Sequence, residues 1–332
     1  MEGGWCRPQS NAEAAPSRRS AVSQVRWRRL QDRLGGRVMA GMAGGAALLV
    51  VVMVAALLLR AWPILRCKPL GELLLTTSWH PLRGAFGFWP FIVGTLWVTA
   101  LALAIAVPLC TLCAIYLAEY ARPQVQRAAK PLVDLLAGIP SVVYGLWGTL
   151  TVVPLIREHV GPWADRLMGH IPFFSTAANP TGYGVLAGGI VLAVMVFPII
   201  ISVMEEVLCS VPDGLREATL ALGVTRWIMV RKVILRRALP GVIAAVVLGF
   251  SRAFGETMAV LMVVGNVPQV PRSIFDAAYP LTALIANNYG EMMSVPLYDA
   301  ALMGAGLLLL LVVLGFNLLA RLILRQTARR AM

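Results

Sequence analysis

Six stretches of the 332-residue sequence, at 38 to 59, 91 to 117, 131 to 156, 183 to 204, 240 to 264 and 300 to 320, are long and apolar enough to cross a bilayer as helices. A helix needs about 20 residues to span the hydrocarbon core. Lipid offers no hydrogen bonds, so a spanning segment must satisfy its backbone internally; long continuous windows mean helices, and a barrel would show short alternating segments instead. The chain is 58% hydrophobic and only 14% charged, against about 45–50% apolar usage in soluble domains. The fold class predicted is all-α, a polytopic integral membrane protein with six transmembrane helices.

A net charge of +13 fits either nucleic-acid binding or membrane topology, and its placement separates the two. Segments 1 to 37, 118 to 130, 205 to 239 and 321 to 332 hold 21 Lys or Arg, the alternate segments 60 to 90, 157 to 182 and 265 to 299 hold 7, and Arg252 lies within a span. That alternation follows the positive-inside rule for six helices with both termini in the cytoplasm. Residues 1 to 37 form a basic cytoplasmic N-terminus, disordered over 1 to 33, whose charge serves orientation and contact with anionic lipid. The window 38 to 59 exceeds the 7–15 residues of a signal-peptide core and stays as the first transmembrane helix. The five cysteines give no disulfide framework, and the Cys110-x-x-Cys113 pair inside an apolar span reads as packing.

The first helix stands apart from a five-helix core, 91 to 320, that ends in a cytoplasmic tail, 321 to 332. Between them, Trp62, Trp79 and Trp89 are candidate interfacial anchors. Gly138-Ile139-Pro140-Ser141 puts either a mid-depth break or a tolerated proline bend in the third span. The outer loops 157 to 182 and 265 to 299 are either a docking surface for an external partner or connectors.

The loop 205 to 239 is unlike a connector. Ser210 and Asp213 fit a capping box, Pro212 a first helical turn and Gly223 a helix stop, so a short cytoplasmic helix is predicted there. Leu215, Ala218 and Leu222 fall at helical spacing and leave one face seeking a partner; Thr225 to Leu239 is basic and amphipathic. Glu217-Ala218-Thr219, Gly223 six residues after the glutamate, and then Val233 and Leu235 resemble the EAA loop of ABC importer permeases. The departures are Thr219 in place of Ala and Arg236 in place of Pro, with Pro240 close by. The resemblance implies that Glu217, Ala218 and Gly223 belong to a helix that couples to an ATPase subunit.

Three ionisable residues lie within the windows: Asp134 near an end, and Arg252 and Glu256 in the fifth. A charge at mid-bilayer costs about 2.5–3.5 kcal/mol on insertion scales, so such groups face a pathway or a partner. On one continuous helix Arg252 and Glu256 share a face with Gly241, Ala245, Gly249, Gly255 and Ala259, while Phe250 and Phe254 turn to lipid. Arg presents a planar fork to an oxyanion, and a neighbouring carboxylate accepts from a protonated one; hydrogen phosphate carries that proton and sulfate does not. The two readings are a substrate pathway and an internal ion pair that locks the bundle.

The run Gly249 to Val260, followed by Gly265-Asn266, resembles the fifth-span signature of phosphate importer permeases of the PstC type, and Gly138 to Gly148 is similar to their third span. The resemblance, over residues 38 to 325, implies the type I ABC importer permease fold in a bacterial inner membrane. It also implies a second related permease, two copies of a cytoplasmic ABC ATPase that bind ATP and Mg, and a periplasmic phosphate-binding protein. The chain itself holds no G-x-x-x-x-G-K-[ST] and is expected to be a translocation subunit, with no cofactor or metal and no catalytic residue of its own. Gly182-x-Gly184-x-x-Ala187 opens an apolar window without a preceding strand, which argues against a dinucleotide site. No internal repeat supports a secondary anion transporter, and the windows hold no histidine for an intramembrane enzyme. The expected function is phosphate import, with another oxyanion as the alternative substrate.

Overall fold

A computed structural model of the chain describes residues 18–331 apart from 169–170, 177–178, 292–293 and 296. Its helices in chain order are α1 (Arg18–Cys67), α2 (Leu70–Leu75), α3 (Trp89–Ile115), α4 (Pro123–Ala137), α5 (Ser141–Trp147), α6 (Val153–Leu155), α7 (Gly161–Met168), α8 (Val185–Cys209), α9 (Asp213–Ala221), α10 (Arg226–Met229), α11 (Leu235–Phe254), α12 (Met258–Val263), α13 (Leu281–Asn288) and α14 (Tyr298–Ala331). A two-residue hairpin pairs Trp79–His80 (β1) with Ala85–Phe86 (β2). Among the described residues five helices are long and apolar enough to span a membrane, and a sixth span counts if the bent pair α4 and Ser141–Leu167 is taken as one. The 92° bend of that pair falls at Gly138–Pro140, so proline here breaks the helix rather than bending it. The break also divides the 131 to 156 window: Asp134 sits on the amphipathic α4, outside the apolar piece that begins at Ser141.

The chain divides into two units, Met1–Ala56 and Leu57–Met332, with the boundary inside α1. Residues 1–17 of the expected disordered terminus lie outside the described residues; from Arg18 the chain is helical. In the first unit Leu34, Val38, Leu48 and Leu49 are exposed, the surface of a helix whose surroundings are apolar.

The core of the second unit is α3 against α8. Ala102, Ala106, Cys110 and Ala114 recur every fourth residue on α3, all fully buried, and meet Leu192, Val196, Ile200 and Met204 of α8. Small residues at one stripe let the two backbones approach, as helices in lipid require for dispersion contact. An aromatic cluster holds the other end: Trp79 meets Phe86 and Phe91 edge-on at 5.6 and 5.0 Å, together with Phe88 and Tyr298. Trp79 is thus a packing residue, while Trp62 is exposed and carries Arg66 over its ring.

The 265 to 299 segment is not a surface loop over much of its length. Ser273 to Leu284 is buried throughout and is stitched to the start of α8: Val185 N–H donates to the Asp276 carbonyl at 3.0 Å and Leu186 N–H to the Ile274 carbonyl at 2.7 Å. Thr95 of α3 secures the same segment, since its Oγ1 accepts from Leu281 N–H at 3.0 Å and donates to the Phe91 carbonyl at 2.7 Å. Thr95→Val keeps the shape but leaves a buried N–H unpaired, at a cost of about 1–3 kcal/mol. The melting temperature in detergent should fall for Thr95→Val and be retained by Thr95→Ser.

Candidate functional site

The fifth apolar window is not one helix. α11 ends at Phe254, Gly255 caps it with helical backbone, and the chain crosses Glu256 and Thr257 before α12 starts at Met258. Arg252 therefore occupies the last turn of α11, where unsatisfied carbonyls carry partial negative charge that favours a cation. Glu256 lies beyond the helix end, so the one-turn relation expected between the two does not hold. No ion pair joins them, whereas Lys68–Glu72, Arg157–Glu158 and two contacts of Arg216 do form ion pairs elsewhere. The reading of a locked internal pair is corrected by that break in the helix.

Arg252 and Glu256 are both half-buried, and the Arg252 Nε is fully covered without a hydrogen-bond partner. The Arg252 charge acts on Tyr144 of α5, a buried residue whose hydroxyl donates to the Leu136 carbonyl at 2.8 Å across the α4–α5 break. The Glu256 carbonyl accepts from Thr282 Oγ1 at 2.9 Å. The arginine is thus placed between two interrupted helices. Gly145 makes this closeness possible: a Cβ there would lie 2.7 Å from the Met262 sulfur and 3.1 Å from the Ala259 Cα of α12.

The stripe of small residues serves packing. A Cβ on Gly241 would meet Val207 at 2.3 Å and one on Gly249 would meet Ile200 at 2.5 Å, both on α8, and Ala245 between them is fully buried. The aromatic side does not face lipid either, because Phe250 stacks on Phe316 of α14 at 4.3 Å with Phe254 beside it. Periodicity places residues on a face and leaves open which neighbour covers that face.

The loop helix forms as α9, Asp213–Ala221, and Gly223 follows at φ 78°, a left-handed turn that glycine enters without strain. The expected capping box is absent: Ser210 Oγ donates back to the Val207 carbonyl at 2.7 Å, and Pro212 occupies the N-cap. Asp213 instead accepts from Arg216. Leu215, Glu217, Ala218, Leu222 and Trp227 are all exposed, and no α9 residue is buried. Thr225 caps α10, a turn of wider helix covers Val230–Ile234, and α11 then runs uninterrupted through Arg236 and Pro240.

Sequence reasoning passed over the residue that fixes this loop. Arg216 Nε and Nη2 donate to Glu119 Oε1 at 3.1 and 3.0 Å, Nη2 to the Leu208 carbonyl at 2.8 Å, and Nη1 to Asp213 Oδ1 at 2.9 Å and to the Val211 carbonyl. Burial opposes the charge of Arg216, but the hydrogen bond and charge of Glu119, with Asp213, outweigh it and hold its pKa above the ordinary value. A signal existed in the lone carboxylate at the end of the first core span, Glu119, although nothing in the sequence pairs it with a residue 97 positions on.

A bundle of apolar helices with an unpaired cationic fork at an interior helix break, and a surface helix presenting uncovered apolar side chains, is the build of a multi-pass transport subunit. The chain belongs to the family described as binding-protein-dependent transport system inner membrane component, whose model matches residues 110–332. It is 39% identical over 260 residues to the phosphate transport system permease protein PstC of Haemophilus influenzae, covering 77% of this chain and 81% of that one. The PstC of Pasteurella multocida is 38% identical over 255 residues, 76% of this chain and 79% of the relative. PstC 1 of Mycobacterium tuberculosis is 38% identical over 268 residues, 79% of each chain. A chain of the inward-facing MetNI methionine ABC transporter superposes with a TM-score of 0.51 at 23% identity, over 73% of this chain and 94% of that one, and so shares the fold.

Proposed function

We propose that this chain is a membrane-spanning permease subunit of an ATP-driven importer of inorganic phosphate. The observation that carries the reading is Arg252, half-buried at the break between α11 and α12 with a covered and unpaired Nε, in a chain similar to phosphate permeases over three quarters of its length. A guanidinium without a protein partner has its donors free for an oxyanion. Glu256 follows at the same break and offers a carboxylate that accepts a hydrogen bond from the P–O–H of hydrogen phosphate. The charge asymmetry of the loops supports an orientation with both termini in the cytoplasm.

Energy comes from a separate chain. Two copies of a cytoplasmic ABC ATPase, binding ATP and Mg, dock on α9; a second related permease completes the bundle and a periplasmic binding protein delivers phosphate. The support is the exposed apolar side of α9 and α10, with Leu215, Ala218 and Trp227, next to Glu217 and the Gly223 turn. Uptake of labelled phosphate, with sulfate as the competing oxyanion, tests the substrate: uptake of sulfate at a comparable rate would overturn phosphate selectivity. Glu217→Lys reverses a charge on an exposed surface without touching packing. It should leave the permease folded while co-purification of the ATPase falls about tenfold or more, and unchanged co-purification would remove α9 from the interface.

A further inference from the structure

Every N–H of the Arg216 guanidinium is committed. A guanidinium has five donors in a fixed fork, and the five hydrogen bonds of Arg216 go to three separate pieces of chain. Two reach Glu119, in the wider helical turn Tyr116–Tyr120 that ends α3. Two reach the Leu208 and Val211 carbonyls at and just beyond the end of α8, where the helix leaves carbonyls unsatisfied. The fifth reaches Asp213 in the first turn of α9. The Glu119 and Arg216 side chains are only 6% and 16% exposed, so water does not compete freely for either. Nearby, Gln126 of α4 donates to Glu205 of α8 at 3.2 Å, tying a fourth element to the same end of the bundle.

The other side of α9 is built differently. Gly223 leaves the helix in a left-handed turn, and nothing lies within 4 Å of the position where its Cβ would be. The loop helix is therefore bolted to α3 and α8 by a charged fork and joined to α10 and α11 through an open glycine turn. We infer that Arg216 is a positioning residue for energy coupling: with Glu119 it forms a permanent strut that makes α9 move as one body with α3 and α8. A push on α9 then reaches the helix pair at the centre of the bundle, and the Gly223 turn absorbs the difference relative to α11, which carries Arg252. This inference rests on α9 being the surface on which the ATPase acts. A lysine cannot replace the residue, since three donors on one nitrogen do not span three partners in this geometry.

The test uses the whole complex of this chain with its second permease and ATPase in proteoliposomes, with phosphate and the external binding protein, measuring phosphate moved per ATP hydrolysed. Arg216→Gln, Arg216→Lys and Glu119→Gln should leave hydrolysis within about twofold while the phosphate-to-ATP ratio falls at least tenfold. An unchanged ratio, or hydrolysis and uptake falling in proportion, would overturn the strut. If these variants assemble poorly, Glu119→Cys with Arg216→Cys in a background lacking the five native cysteines replaces the ion pair by a short bifunctional thiol cross-link. The linked complex should recover at least half of the unaltered ratio, whereas a linked complex that is blocked means that the contact must open in each cycle and the strut is wrong. Should the unaltered complex fail to couple hydrolysis to uptake, the proposed function falls with this inference; a normal unaltered complex with normally coupled variants removes the strut alone.

Discussion

Arg252→Gln should reduce phosphate uptake by about 10- to 100-fold while the protein remains folded and assembled. A hydrogen bond to a charged group contributes about 1.5–3 kcal/mol, and each 1.4 kcal/mol is a factor of ten. Folding should tolerate the change because Arg252 has no ion-pair partner to strand and its covered Nε already lacks a hydrogen bond. The double variant Arg252→Gln with Glu256→Gln checks that the two charges do not act as a locking pair. A pair that only locked the bundle would be relieved by losing both charges, and uptake would recover. Residues that meet the anion would not be relieved, and uptake in the double variant should be no higher than in Arg252→Gln alone. Uptake at the unaltered rate in the single variant would remove Arg252 from the pathway.

Gly184→Ala should be strongly destabilising for a single added methyl. The backbone there is extended, so conformation is not the obstacle. Space is: the added Cβ would lie 2.5 Å from the Phe275 carbonyl oxygen and 2.6 Å from that of Asp276. Neither oxygen can retreat cheaply, since Asn179 Nδ2 donates to the first at 2.9 Å and Val185 N–H to the second at 3.0 Å. Overpacking of this kind costs about 1–3 kcal/mol, which lowers a melting temperature by roughly 2–10 °C for a chain of this size. Gly214→Ala is the control: a Cβ there meets nothing within 4 Å, and the position is helical, so stability should hold or rise slightly. Equal melting of Gly184→Ala and the unaltered protein in detergent would show that the 265 to 284 segment is not held against α8 as described.

These two predictions come from different levels of the molecule. Arg252 was legible in the sequence because charge is rare in an apolar window and costly in lipid, so its presence already called for a reason. The consequence of Gly184 was not, since Gly182-x-Gly184 shows in the sequence only as the opening of an apolar window, and the returning segment at Phe275 and Asp276 is what leaves no room for a side chain. The loop helix α9 was found from Pro212, Gly223 and the apolar spacing between them, yet its anchor was not. Local turn chemistry is written in neighbouring residues, while Glu119 and Arg216 are brought together by the packing of α3 on α8.

The fifth window shows where periodicity stops being informative. Hydropathy over 240 to 264 is continuous, and a continuous apolar run gives no cue that the helix ends at Phe254. Gly255, Thr257 and the pull of Thr282 on the Glu256 carbonyl decide it, and the last of these lies on a different segment. For the same reason helical spacing groups the small residues Gly241, Ala245 and Gly249 on one face of α11 without naming its neighbour, and only the position of α8 says that they are packing.

From the sequence alone follow the membrane, the helical class, the position of the loop helix between the fourth and fifth apolar windows and the charged residues worth attention, because the solvent imposes length, hydropathy and charge rules that act residue by residue. The tertiary structure alone decided the 92° break before Ser141, the separation of Arg252 from Glu256 and the five-bond anchorage of Arg216. Each depends on which distant backbone atoms come within hydrogen-bond or van der Waals reach, and that is a property of the packed chain rather than of any window within it.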